Sequence, residues 1–206
     1  MKNFVAAACV AFSLLGCGTF SAKPDPSRFF TLSALPPLAP DAAKSPSESP
    51  GISLGIGPVT LPGYLDRQEI VIRVAQNQIS LAENDLWAEP LEENFSRVLS
   101  QNVAAILRVD RVNAYPWAID KKPVYQVEVE VLRFEANTAQ EAQLSARWAV
   151  IDDTGKGTPN LKASRLTRRA KEKSMDASVA ALSETVADLS REIAKTVVAI
   201  DGQREP

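Results

Sequence analysis

Cys17 is the residue with the clearest chemistry in this sequence, because its thiol can be acylated. The small Gly16 precedes it, and Leu14 stands three positions before it. An ordinary secretory signal has small residues at both −3 and −1, whereas lipoprotein processing prefers leucine at −3. The apolar stretch at residues 4–15 is also too short to span a bilayer, which needs about 20 residues. We therefore predict that residues 1–16 are a lipoprotein signal peptide and that Cys17 is lipidated.

Lipidation of Cys17 would determine where the protein is held. Each methylene of an acyl chain that is buried in the membrane contributes about 0.8 kcal/mol to binding, and a single chain binds only marginally. The three chains expected of this lipoprotein type would therefore give a nearly permanent anchor. The next residue is Gly18, not the aspartate that retains such proteins in the inner membrane of enteric bacteria. We expect the periplasmic face of the outer membrane, with residues 17–27 as the lipidated N-terminus and tether.

The absence of histidine excludes several classes of chemistry. The chain contains no histidine, and Cys9 would leave with the signal peptide. Ser-His-Asp and Cys-His catalysis and histidine metal sites are therefore not available. The net charge of −2 gives no sign of a nucleic-acid partner. We predict no catalytic residue, no metal site and no cofactor beyond the acyl and diacylglycerol lipid on Cys17.

Alternating apolar residues predict the strands. A short first strand is expected at residues 29–35, from Phe29, Phe30, Leu32 and Leu35. A second strand is expected at residues 52–59 and a hairpin at residues 70–81. A three-strand meander follows between residue 125 and about residue 169. The alternation shifts at Leu132, which indicates a β-bulge or burial on both faces.

Two long helices follow from apolar residues at helical spacing. The first runs from Pro90 to about Leu107, and the second reaches Ile200, with Asp176 as its expected N-cap. Residues 28–206 should therefore form a single α+β domain, in which both helices pack on one face of an antiparallel or mixed sheet. The proline-rich residues 36–50 are expected to form a loop within it.

Two motifs at the ends of these elements are candidate docking sites for a partner. Residues 62–67 combine a rigid turn with Tyr64, Asp66 and Arg67. They form either a docking loop or a structural turn. In the second case Tyr64 and Leu65 fill the core, and Asp66 pairs with Arg67 or caps a turn. Trp87 either anchors an interface, where tryptophan is enriched, or packs the start of the first helix onto the sheet.

A dense basic run lies near the end of the predicted meander. It could contact anionic headgroups or an acidic partner, or it could be a solvated strand end. Its members are Arg165, Arg168, Arg169, Lys171 and Lys173.

Several of these segments resemble those of a known family. The resemblance covers nearly all of the chain after Cys17, and residues 62–67 and 87–91 are its most specific pair. The segments that carry it are residues 28–32, 54–59, 61–67, 70–73, 86–91 and 189–194. They are similar to the PqiC-type auxiliary lipoproteins of ABC-linked intermembrane transport.

This resemblance implies a non-enzymatic role. Such proteins lie on the periplasmic face of the outer membrane and dock with MCE-domain proteins, which form a channel for lipids between the two membranes. An inner-membrane permease component completes the system. The chain would anchor or receive the end of that conduit and so support envelope integrity. Because the partners form rings, a homo-oligomer is compatible with this role.

Two other functions are open from the residues alone. The first is a structural outer-membrane assembly lipoprotein that plugs or chaperones a β-barrel, as LptE-like proteins do. The second is a tethered enzyme that uses carboxylates such as Glu128 and Glu130. That pair is expected on the solvated face of one strand, which is typical of an ordinary protein surface.

Overall fold

The computed structural model describes residues 25–36, 52–109, 112–118, 122–152 and 160–203. Three predictions from the sequence lie outside these residues, wholly or for the most part. They are the signal peptide at residues 1–16, lipidated Cys17 with its tether to residue 27, and the proline-rich loop at residues 36–50.

The described residues form eight strands and two α-helices. One turn of 3₁₀ helix covers Gly63–Leu65. The strands are β1 (Arg28–Phe30), β2 (Leu54–Thr60), β3 (Glu69–Ala75), β4 (Gln78–Trp87), β5 (Asn113–Ala114), β6 (Tyr125–Asn137), β7 (Glu141–Asp152) and β8 (Asn160–Arg169). The helices are α1 (Leu91–Leu107) and α2 (Met175–Asp201).

Strand β6 organises the sheet because different strands pair with its two edges. On one edge it pairs antiparallel with β7, which in turn pairs antiparallel with β8. Two strands share the other edge: β2 runs parallel to its first half, and β3 runs parallel to its last two residues. β5 lies beyond β2, while β4 and then β1 lie beyond β3. The sheet is therefore mixed, and the connection from β2 to β3 passes the middle of β6.

A bulge in β6 decides which side chains meet the helices. The register against β7 shifts between Val131 and Arg133, and Leu132 is left 40% exposed. This confirms the irregularity expected at Leu132. Beyond the bulge, Phe134 is buried in the core and Glu135 faces the opposite side of the sheet. We call that opposite side, which carries neither helix, the open face.

Both helices pack on one face of the sheet, as predicted. Helix α1 contacts α2 and β2, and α2 contacts β6, β7 and β8. Phe95 of α1 meets Phe134 of β6 edge to face, with ring centroids 5.2 Å apart. Neither of these helices combines the length and the apolar composition that a bilayer-spanning helix needs.

The start of α2 corrects one expectation from the sequence. The N-cap is Ser174, whose Oγ accepts a hydrogen bond from the Ala177 N–H at 3.1 Å. Asp176 is already inside the first turn of the helix. A serine two residues upstream can reach the free N–H groups of the first turn, whereas a residue within that turn cannot serve as the cap.

The first strand is shorter than expected: it ends at Phe30, and residues 31–35 are held by side chains of the two helices instead of by a neighbouring strand. Asn94 Oδ1 of α1 accepts the Leu32 N–H at 3.2 Å, and Asn102 Oδ1 accepts the Leu35 N–H at 2.7 Å. Ser183 Oγ of α2 accepts the Ser33 N–H at 3.0 Å. These side-chain oxygens accept the backbone N–H groups that a neighbouring strand would otherwise have to satisfy.

Replacing Asn94 with alanine should lower the free energy of unfolding by about 1–3 kcal/mol, because the buried Leu32 N–H would lose its partner. Urea unfolding of the purified domain measures this loss. The matched control is Gln101→Ala, an exposed position on the same helix, which should change stability by less than about 0.5 kcal/mol. Equal losses of stability for the two variants would contradict the role of Asn94 as the partner of the Leu32 N–H.

Candidate partner-docking site

Residues 62–67 lie where β2 ends and the chain crosses the edge of β6 to begin β3. The 3₁₀ turn is closed by the Leu65 N–H, which donates to the Pro62 carbonyl at 2.9 Å. Leu65 is 2% exposed and belongs to the core, so it fixes the turn to the body of the domain. Of the structural interpretation, the structure confirms the turn and the burial of Leu65, whereas Tyr64 is only half-buried.

Tyr64 is held by a buried carboxylate. Its hydroxyl donates to Glu135 Oε2 at 2.6 Å, and the Glu135 side chain has no exposed surface. The other oxygen, Oε1, accepts from Arg73 Nε at 2.8 Å and from Arg133 Nε at 2.6 Å. Burying a charge is costly unless it is paired and hydrogen-bonded, and here both carboxylate oxygens have charged or hydroxyl donors. We call these four residues the Glu135 cluster.

Arg73 connects the Glu135 cluster to the neighbouring hairpin. Its guanidinium lies 5.9 Å from the centroid of the Tyr64 ring, within the range of a cation–π contact. Its Nη1 also donates to the Gln76 carbonyl at 3.2 Å, in the turn between β3 and β4. The tyrosine ring is thus restrained at its hydroxyl and at one face, so the turn is presented in a defined conformation.

Asp66 and Arg67 project from this fixed turn into solvent. Both are exposed, and Arg67 Nε donates to the Tyr64 carbonyl at 2.9 Å. Within the part of the chain that the structure describes, neither residue forms an ion pair, so the expected local pairing between them is not observed. Their charged groups are free to meet a partner.

The pKa of Tyr64 is raised to about 12. Burial of the phenol is the main cause, and its hydrogen bond to the Glu135 carboxylate adds to the effect, because a phenolate beside that carboxylate would be repelled. Tyr64 therefore stays protonated, as a hydrogen-bond donor to Glu135, throughout the neutral pH range.

The raised pKa of Tyr64 predicts a loss of stability in alkali. The folded protein retains the phenol proton above pH 10, where an unfolded tyrosine, with a pKa of about 10, has begun to lose it. This contribution to stability is complete below about pH 10 and is lost as the pH rises through about 12. Urea unfolding at a series of pH values should therefore show that the free energy of unfolding falls between about pH 10 and 12 in the wild type, and falls less steeply in Tyr64→Phe. Tyr115→Phe, which alters an exposed tyrosine, should follow the wild type; a Tyr64→Phe curve parallel to wild type would contradict the assignment.

Trp87 lies in the core rather than at the surface. Its side chain is 4% exposed, and it stands opposite Phe30 in the parallel pairing of β1 with β4. Its backbone N–H donates to the Gln68 carbonyl at 2.7 Å. Of the two interpretations of Trp87, the structure supports packing of the helix start onto the sheet. A docking role would require the indole to leave the core, so the surface candidates are Tyr64, Asp66 and Arg67.

The basic run does not form one free patch. Arg168 binds Asp188 of α2 through two hydrogen bonds of 2.6 and 2.7 Å, and the pKa of Asp188 is lowered chiefly by this contact. Arg191 donates to the same carboxylate at 2.7 Å. Arg168 therefore ties β8 to α2. Its four basic neighbours in the run, at residues 165, 169, 171 and 173, are exposed.

Sequence reasoning did not identify the centre of this site. Glu135, Arg73 and Arg133 were not singled out, because charged residues in alternating strands usually face solvent. The bulge predicted at Leu132 fixes only the face on which Glu135 lies, which is the open face that Glu130 shares. Its burial comes from Tyr64, Arg73 and Arg133 around its carboxylate, and no local pattern in the sequence marks that contact.

Comparisons with known proteins agree on the fold. A family model described as ABC-type transport auxiliary lipoprotein component matches residues 30–194. A solved structure of an uncharacterized protein matches with a TM-score of 0.67 at 20% identity, covering 83% of this chain and 98% of its own. A Xanthomonas campestris protein assigned to the DUF330 family matches with a TM-score of 0.63 at 15% identity, covering 85% and 97%. No curated protein matches the chain.

Proposed function

The chain belongs to the family of ABC-type transport auxiliary lipoproteins, and from this premise we propose that it is a non-catalytic component of an intermembrane lipid transport system. Its place is the periplasmic face of the outer membrane, where lipidated Cys17 anchors it. The family match over residues 30–194 is the observation that carries this proposal.

The partner that we propose is the MCE-domain protein of the same transport system, which links the chain indirectly to an inner-membrane permease. This follows from the resemblance of residues 62–67 and 87–91 to PqiC-type lipoproteins. A homo-oligomer would suit a ring-shaped partner. The part played by this chain is to hold the outer-membrane end of the lipid conduit in position.

The docking surface that we propose is the turn at residues 62–67. The Glu135 cluster holds this turn from beneath, so little conformational freedom remains to be lost when a partner binds. Tyrosine and arginine are the residue types that interfaces favour, and this turn presents Tyr64 half-buried and Arg67 exposed. Asp66 beside them adds a charge of the opposite sign, which favours one orientation of the partner.

Affinity purification of the tagged full chain from envelope membranes tests the proposed function. The expected result is co-purification of an MCE-domain protein, together with increased detergent sensitivity when the gene is deleted. Absence of an MCE-domain protein and unchanged detergent sensitivity would contradict the proposal. Recovery of an outer-membrane β-barrel instead would favour the assembly-lipoprotein alternative.

A further inference from the structure

A groove of about 500 Å³ lies between the end of β2 and the exposed side of α1. Pro58 and Thr60 form one wall, and Glu92, Ser96 and Gln101 are on the helix side. Tyr115, directly after the two-residue strand β5, closes one end. The groove is separate from the Glu135 cluster, since it shares no lining residue with it. Its volume lies within the range of about 300–1,000 Å³ typical of binding clefts.

Two glycines of β2 make room for the aromatic residues at the end of the groove. A Cβ atom at Gly57 would lie 2.3 Å from Tyr115 Cβ, and one at Gly55 would lie 2.8 Å from Trp117 Cζ3. Gly57 also has φ +134°, a conformation that side-chain-bearing residues rarely adopt. The glycine pattern of residues 54–59, which carries part of the family resemblance, therefore places Tyr115 and Trp117 against β2.

Tyr115 packs against one aromatic neighbour but remains half exposed to solvent. Its ring packs edge to face on Trp117, with centroids 5.2 Å apart and planes at 85°, and the residue is 52% exposed. Glycine in a strand interior weakens the strand, so two of them are a cost to stability. A tyrosine that filled the core would offset this cost by burial, but this one is exposed at the mouth of a groove. Tyrosine and tryptophan are enriched among the residues that contribute most to binding at protein interfaces.

The rim of the groove is acidic. Glu92 and Glu93 are exposed in the first turn of α1, and within the described residues neither forms an ion pair. Arg97 also lines the groove, but its guanidinium binds the Glu89 carboxylate. The helix dipole stabilises the two carboxylates without cancelling their charge. A cationic ligand is therefore favoured here, and a phosphate group would face two unpaired carboxylates.

We propose that this groove binds an extended basic segment of the transport partner. An apolar side chain of the segment packs against Pro58 and Tyr115, and a lysine or arginine next to it meets Glu92 and Glu93. Ser96 and Gln101 offer hydrogen bonds to its backbone. This inference rests on the proposed function, because it takes the partner to be the MCE-domain protein, and it adds a second contact to the turn at residues 62–67.

The test is site-specific photocrosslinking of the full-length lipoprotein in cells, with a photoreactive amino acid at Gln101 inside the groove or at Arg67 on the turn. Adducts are identified by mass spectrometry. The expected adduct at residue 101 is a segment of the MCE-domain protein that contains at least two basic residues. Reversing the acidic pair, Glu92→Lys with Glu93→Lys, should lower its yield about tenfold. The matched control, Glu172→Lys with Glu184→Lys, makes the same change in net charge at two exposed glutamates that do not line the groove, and it should leave the yield unchanged.

The two positions separate failure of this inference from failure of the proposed function. An MCE adduct at residue 67 without one at residue 101 would overturn the groove assignment and leave the proposed function standing. A phospholipid adduct at residue 101, or a yield that charge reversal does not change, would also overturn it. Absence of MCE adducts at both positions would count against the proposed function and the groove together.

Discussion

Replacing Glu135 with alanine should lower the free energy of unfolding by about 2–4 kcal/mol, one of the largest single-residue losses outside the apolar core. The change removes the acceptor of three side chains and leaves two arginines and Tyr64 without their partner. Breaking a buried ion pair usually costs about 3–5 kcal/mol. Here the Arg73 and Arg133 side chains are 19% and 37% exposed, so water recovers part of that cost. Urea unfolding measures the loss.

Two variants separate this effect from a general effect of removing a carboxylate. Glu135→Gln keeps the shape and can still accept from Tyr64, so it should lose less stability than alanine. Glu130→Gln alters an exposed glutamate of the same strand, whose ion pair with Arg147 spans 3.5 Å, and should cost under about 1 kcal/mol. A loss for Glu130→Gln as large as that for Glu135→Ala would contradict the special role of the Glu135 cluster.

Replacing Cys17 with alanine, in a protein whose residues 1–16 are exchanged for an ordinary cleavable secretory signal, should move the protein almost completely from the membrane fraction to the soluble periplasmic fraction. The exchange is needed because Leu14 at −3 does not suit ordinary signal cleavage, so the native apolar segment would otherwise stay attached. Without the thiol no lipid can be attached, and the described helices provide no segment able to replace the anchor. Fractionation of cell envelopes followed by immunoblotting measures the distribution, and metabolic labelling with a palmitate analogue should lose its signal in the same variant.

The second cysteine of the chain provides the control for this experiment. Cys9→Ala should leave both the distribution and the lipid label unchanged, because residue 9 is expected to be removed with the signal peptide. Retention of a lipid label in Cys17→Ala, retention of the signal-exchanged Cys17→Ala protein in the membrane fraction, or loss of the lipid label in Cys9→Ala would contradict the assignment of the lipidation site.

Local patterns in the sequence were enough to predict most elements of the fold. Alternation of apolar residues located β2, the β3–β4 hairpin, β6 and β7, and helical spacing located α1 and α2. The polar strand β8 was predicted from the turn residues that precede it. The bulge at Leu132 was also visible, because the alternation shifts there. Each of these features is determined by neighbours within about a dozen residues.

The long-range pairings could not be predicted in the same way. Arg28 Nε donates to Asp85 Oδ1 at 2.7 Å, although the two residues are 57 positions apart in the chain. They lie opposite each other in the parallel pairing of β1 with β4, which no local sequence pattern predicts. β5 has only two residues, too few for any periodicity. Sharing of one edge of β6 between β2 and β3 likewise depends on the path of the whole chain.

The candidate site was predicted in part. Residues 62–67 were singled out correctly as a turn with an aromatic and a charged residue, and the structure places Tyr64, Asp66 and Arg67 together at its surface. The reason that the turn is rigid lies 71 positions away from Tyr64, at Glu135. Trp87, grouped with them from its residue type, is buried, because the start of α1 and the end of β4 meet in the core.

Together these contacts hold the proposed docking turn in a defined conformation before any partner binds. The charged turn is supported by buried ion pairs on the open face, and the two helices on the other face support the sheet. Such a surface favours binding by geometry and charge, with little cost for ordering the turn. Function would then depend on what the anchored domain holds in place.

The most direct test of this account is photocrosslinking from residue 67 compared with residue 195 in the full-length lipoprotein. Both positions are exposed, and they lie on opposite faces, on the turn and on α2 respectively. The account predicts an adduct with the MCE-domain protein from residue 67, none from residue 195, and a weaker adduct from residue 67 when Glu135→Ala is added. Equal adducts from both positions, or none with an MCE-domain protein from residue 67, would contradict it.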